Sequence, residues 1–189
     1  MRHALLVAMG LLAGGLPVVT PAWSFSSKHL AALKATNECP KCDLDQANLR
    51  KADLRNAKLD KVFMIGAKMR GVNLSGASLK GAVLRGANLN VSNLSGANLR
   101  KANLSDAFLL SADLRNADLS DANLNDANLS GADLRGATLT KATFNKTFLR
   151  GANLSGLDLS TAVLDKAKLG GAILCKTKLP WGEDNSSCP

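Results

Sequence analysis

Leucine recurs at every fifth residue along most of this chain: Leu44, Leu49, Leu54 and Leu59, then Leu74 through Leu139, then Leu149 through Leu179, with no insertion or deletion. Met64, Met69 and Phe144 take its place at three beats, and all three are apolar. Two residues before each beat sits a small residue, usually alanine, as in Ala47-Asn48-Leu49-Arg50-Lys51 and Ala132-Asp133-Leu134-Arg135-Gly136. The unit A-(D/N)-L-x-x is read twenty-eight times. This spacing excludes the two simplest elements. Five positions on an α-helix advance about 500°, so successive leucines would drift around the cylinder. On a flat strand an odd spacing would throw alternate leucines onto opposite faces. A chain that turns a corner within every unit buries them all. In extended backbone the small residue and the leucine then point inward together, while the Asn or Asp between them and the residue after leucine point outward. The last position becomes the corner, and it is rich in Gly (Gly66, Gly71, Gly76, Gly81, Gly86, Gly131, Gly136), Asn, Asp and Lys. Gly, Asn and Asp accept the positive φ that tight turns need. A repeated corner predicts a solenoid.

From Cys42 to Trp181 these units resemble the pentapeptide repeat proteins. The resemblance implies an all-β solenoid, a right-handed quadrilateral β-helix with four units to a coil. Twenty-eight units then make about seven coils, stacked at the strand spacing of about 4.8 Å. Ser27 to Asn37 reads as a short helix, with Ser27 as N-cap, Leu30 and Leu33 on one side and Asn37 as the stop. Its expected task is to cover the open edge of the first coil, where unpaired backbone would otherwise invite another chain.

The first residues carry a different pattern. A basic start at Arg2, an apolar run from Ala4 to Leu16, Pro17, and small residues at Thr20, Ala22 and Ser24 have the layout of a secretory signal peptide cut after Ala22 or Ser24. The apolar run falls short of the ~20 residues that span a bilayer. The expected division is therefore 1–22 leader, 23–41 N-terminal cap, 42–181 β-helix and 182–189 tail. The mature chain is expected outside the cytoplasm, in a periplasm, an extracellular space or a thylakoid lumen.

Four cysteines fit that location. With the coils the resemblance implies, Cys42 fills an inward small-residue slot at one end and Cys175 follows Leu174 at the other, six coils or about 29 Å away. A disulfide needs Cα atoms within about 7 Å. The pairing left is Cys39 with Cys42 and Cys175 with Cys188, one staple at each end, the second able to fold Trp181 over the last coil. Cys39-Pro40-Lys41-Cys42 also admits a thiol-disulfide oxidoreductase reading, but that chemistry needs an exposed first cysteine at a helix N-terminus, and the predicted helix precedes the motif. Asp43 stands where haem attachment would need His, His3 lies in the leader and His29 is alone on the cap. No cofactor, metal or catalytic constellation is expected.

Charge separates the remaining readings. The chain carries 24 basic and 15 acidic residues, net +9, of which Arg2 belongs to the leader. Eleven basic and two acidic residues lie between Gln46 and Lys101, against two basic and six acidic between Ala102 and Arg135. Some cytoplasmic members of the resembled family mimic duplex DNA and occupy gyrase. A mimic should be acidic, so that role is not expected here, and no nucleic-acid partner is. A basic front half could instead hold phospholipid headgroups or polyanionic glycans. Outward slots that hold apolar residues where Asn, Asp or Ser is the rule mark a candidate contact surface. Phe63, Ile65, Val83 and Arg85 cluster on one face; Lys68, Arg70, Phe108, Leu110, Phe148 and Arg150 share another. The expected function is a non-enzymatic rigid scaffold or protein-binding module. Partner identity and oligomeric state are left open.

Overall fold

The computed structural model describes residues 26–188; the expected leader, with its expected cleavage after Ala22 or Ser24, falls outside them. From Glu38 onward the backbone climbs as a right-handed quadrilateral β-helix. Each outward Asn/Asp-type residue bridges in parallel to the residue twenty positions later, as Asp43 to Phe63, Asn48 to Lys68 and Asp53 to Asn73. Twenty residues per coil and five per unit make four faces, each contributing one bridging residue per coil. The ladder reaches back to Glu38, paired with Lys58, so the corner at Pro40-Lys41 is already part of the first coil.

Hydrogen bonding explains the five-residue motif. Within a typical unit, four of the five N–H groups find backbone acceptors. In the unit around Leu74, Val72 donates to Met69 across the preceding corner, Asn73 down to Ala52, Leu74 up to Asn93, and Gly76 up to Ser95. The fifth, the N–H of the residue after leucine, has no backbone partner, and the side chain of the Asn or Asp two residues earlier accepts it: Asn73 Oδ1 from Ser75 at 3.1 Å, Asp113 Oδ1 from Arg115 at 3.1 Å, Asn153 Oδ1 from Ser155 at 3.1 Å. Asn and Asp recur at that slot because a backbone donor requires them there. Each corner is a four-residue turn from leucine to the next small residue, with positive φ at its third position, the φ signs of a type II turn. Lys41 to Lys176 obey this at every corner except Thr161.

The interior is a stack of leucine and alanine ladders, nearly all fully buried. Where a hydroxyl occupies a small slot it is satisfied inside: Ser92 Oγ donates to the Leu89 carbonyl at 2.6 Å and Thr147 Oγ1 to Leu124 at 2.7 Å. One rung is missing. Thr138 bridges to Asp118 below but not to Asp158 above. Leu157 fills a slot that elsewhere holds a small residue, and β-branched Thr161 avoids the left-handed corner conformation that costs such a side chain most. Lys141 N–H then bonds Thr161 Oγ1 at 3.2 Å instead of the backbone.

The ends are closed unequally. Helix α1 spans Ser27–Thr36. Its N-cap is Ser26, not Ser27: Ser26 holds an extended conformation and its side chain accepts from His29 N–H at 3.3 Å. Asn37 ends the helix at φ 57. Leu33 is buried and Leu30 half-buried against the first coil. At the other end β1 (Thr177–Leu179) and β2 (Gly182–Asp184) form an antiparallel hairpin. Trp181 does not cover the last coil; it is 66% exposed, because Pro180 and Trp181 are the two tip residues between paired Leu179 and Gly182.

Candidate functional site

The cysteines are bonded as Cys39–Cys42 and Cys175–Cys188. Cys39 and Cys42 occupy the two inward slots on either side of one corner, the leucine position and the following small position, so their bond staples a single turn from within. Both are buried. A thiolate attacking a disulfide needs solvent access and a positively charged or helix-N-terminal setting; this pair has the setting of a brace. The 13-residue separation of Cys175 and Cys188 ties the tail to the last coil, where Asn185 Oδ1 also accepts from Lys176 N–H at 2.9 Å.

Counting the faces from the Glu38–Lys58 ladder, the second face has Phe63 bridged to Val83 one coil above. Phe63 and Ile65 are exposed, Val83 is half-buried, and Arg85 is paired to Asp106 with Nε 3.1 Å from Oδ2. Phenylalanine cannot accept the N–H of Ile65 as an Asn or Asp would. Asp45, one coil below, does so instead at 2.6 Å. Burial, the strongest influence, pushes the Asp45 carboxyl above its ordinary range, while the bond from Ile65 works against that shift.

The third face repeats the device. Phe108 takes the Asn slot, and Asn90 from the coil below accepts Leu110 N–H at 2.8 Å. Phe108, Leu110 and Phe148 are all exposed, as is Val91 at the adjoining corner, where it adopts φ 56. A β-branched residue in that region is an outlier. The acceptors Asp45 and Asn90 and the strained Val91 are not visible as a cluster in sequence; the signal that could have found them is an Asn or Asp just after a leucine, twenty residues ahead of an apolar outward pair.

The fourth face is electrostatically self-contained. Arg55, Arg115 and Arg135 pair with Asp53, Asp113 and Asp133 at 2.7, 2.7 and 2.6 Å. In each case the arginine hydrogen bond is the main influence holding the carboxyl below its ordinary range. With every arginine exposed and Asp113 and Asp133 half-buried, such pairs contribute modest stability each. The basic residues Lys41, Lys61 and Lys101 fall on one corner column and take part in no salt bridge among the described residues.

Comparison with known proteins matches this architecture. The profile described as pentapeptide repeats fits residues 41–76, 77–116, 92–131, 117–156 and 149–179. Comparison with curated sequences returns no match. Among solved structures, the plasmid-mediated fluoroquinolone resistance protein QnrB1, in a trypsin-treated form, is 19% identical over 71% of this chain and 86% of its own, with a TM-score of 0.55. HetL, a pentapeptide repeat protein involved in heterocyst differentiation regulation in the cyanobacterium Nostoc, is 32% identical over 77% of this chain and 79% of its own, with a TM-score of 0.29. A pentapeptide repeat protein from the Arabidopsis thaliana thylakoid lumen is 27% identical over 60% of this chain and 70% of its own, with a TM-score of 0.31. The twenty-residue bridge spacing, the corner conformation and a profile match running from 41 to 179 agree: the chain belongs to the pentapeptide repeat family.

Proposed function

We propose that this protein is a non-enzymatic, rigid binding module acting outside the cytoplasm, which engages a protein partner through apolar residues set into otherwise polar faces. The observation that carries the reading is the pairing of Asp45 with Ile65. An outward Phe63 leaves the Ile65 N–H without the side-chain acceptor that Asn or Asp supplies elsewhere, and the Asp45 carboxylate from the coil below accepts it instead. The patch of Phe63, Ile65, Val83 and Arg85 is therefore seated on intact backbone, held by parallel bridges on both sides. Two disulfides suit an oxidising compartment, in keeping with the leader pattern at the N-terminus. The interior slots are filled by leucine and alanine, which leaves the faces as the working surface.

Affinity capture from the exported fraction, wild type beside the double variant Phe63→Ser and Ile65→Ser, tests this. A partner recovered by the wild type and lost by the variant is expected. Equal recovery by both sinks the patch, and failure of the wild type to retain any partner sinks the binding reading. A second reading rests on the lysine column of Lys41, Lys61 and Lys101: binding of an anionic surface. Retention on vesicles containing anionic phospholipid, abolished by moderate salt, would favour it over the protein partner.

A further inference from the structure

We infer that the recess between Phe108 and Phe148 on the third face receives one cationic side chain, lysine or arginine, carried by an extended segment of a protein partner; this rests on the binding-module reading above and names the chemistry of the partner. Phe108, Asn128 and Phe148 occupy the same outward slot on successive coils and are bridged in that order. The two phenylalanines therefore stand two rungs apart, about 9.6 Å, with the shorter Asn128 between them as a floor. The recess has a volume of about 290 Å³ and is walled on one side by Asp106 and Asp126 from the adjoining corner column. That is room for a long side chain with water.

Three features select a cation. The acidic wall repels an anion, and an apolar group seated there would leave Asp126 without a counter-ion. Asp106 is engaged on its far side by Arg85, whereas Asp126 forms no salt bridge among the described residues. The protein also demonstrates the preference itself: Lys168 places its Nζ 4.3 Å from the centroid of the Phe148 ring, within the range where a ring face attracts an ammonium group. Leu110, beside Phe108, and Val91 at the next corner supply apolar ground for the residues of the partner segment that flank the cation. On a chain of net charge +9, Asp106 and Asp126 make the lining of this recess locally acidic.

The test uses isotope-labelled full-length exported chain and two probes, N-acetyl-Val-Arg-Val-Arg-Val amide and its counterpart with Glu in place of Arg. Saturable amide shifts centred on Phe108, Asn128 and Phe148 are expected with the Arg peptide and not with the Glu peptide. Removing two cation-binding rings in Phe108→Ser with Phe148→Ser should weaken binding about tenfold or more, and Asp126→Asn should weaken it several-fold. All these side chains are outward, so an unchanged thermal melt verifies that the variants fold. Equal shifts from the Glu peptide, or undiminished Arg-peptide affinity in the double phenylalanine variant, overturn the proposal. If that happens while wild-type protein still captures a partner from the exported fraction, this site alone falls and the broader reading stands.

Discussion

Leu110 and Leu114 lie four residues apart, and one substitution should treat them as opposites. Leu114 is 0% exposed in the middle of the solenoid, in the same ladder as Leu94 and Leu134, while Leu110 is 42% exposed. Leu114→Ala removes buried methyl groups that a rigid stack cannot easily refill, which costs roughly 2.7–5 kcal/mol. For a chain of this size a loss of 1 kcal/mol lowers Tm by about 2–4 °C, so the expected fall is about 5–20 °C. Leu114→Asp adds the desolvation of a carboxylate with no partner, several kcal/mol more. Against a total stability of about 5–15 kcal/mol, that variant should lack a cooperative melt. Leu110→Asp exchanges one exposed side chain for another and should stay within about 0.5 kcal/mol of wild type. Circular-dichroism melts of the three variants decide the matter. A Leu110→Asp melt as depressed as that of Leu114→Ala, or a wild-type melt from Leu114→Asp, would refute the inward register and the packing argument with it.

Reducing Cys175–Cys188, a bond that closes a loop worth about 3 kcal/mol of chain entropy by length, should raise hydrogen exchange in residues 172–179 while leaving the central coils protected; uniform loss of protection would show that the tail is not a local clamp. Alkylation and mass mapping of protein from the exported fraction should recover Cys39 linked to Cys42 and Cys175 to Cys188, and rapid alkylation of Cys39 at neutral pH would bring the redox reading forward. Asp113 and Asp133 have folded pKa values held below the ordinary 3.8 by Arg115 and Arg135, so their contribution is present above the unfolded value and is lost as pH falls through the lowered folded value. Melting temperature should accordingly hold from neutrality to about pH 5 and drop below about pH 4, with a shallower acid limb in Arg115→Gln with Arg135→Gln; an identical limb would remove these pairs from the account. Val91→Asn should melt no lower than wild type, because Asn tolerates φ 56 where valine is strained; a marked fall would mean that Val91 packs more than its exposure suggests.

The positions of the inward ladders, the corner and the outward polar slots were legible in the sequence because each follows from a local rule. Two-residue alternation sets which side chains share a face, and positive φ restricts which residues turn the corner. The role of the Asn/Asp slot is equally local, since Asn73 serves Ser75 only two residues away. What lies across the stack is not local. The number of faces depends on which unit sits above which, and a five-residue period is silent on that; the bridge from Asp43 to Phe63 answers it. The same lateral stacking brings Asp45 to Ile65 and Asn90 to Leu110, and sets Phe108 and Phe148 on either side of Asn128. The fault between Thr138 and Asp158 and the outward Trp181 also belong to the tertiary structure. The first arises where a bulky Leu157 must share a layer with its neighbours, and the second where the pairing of β1 with β2 puts Trp181 at a hairpin tip. Local chemistry wrote the unit, and only the packing of coil on coil decided which residues meet.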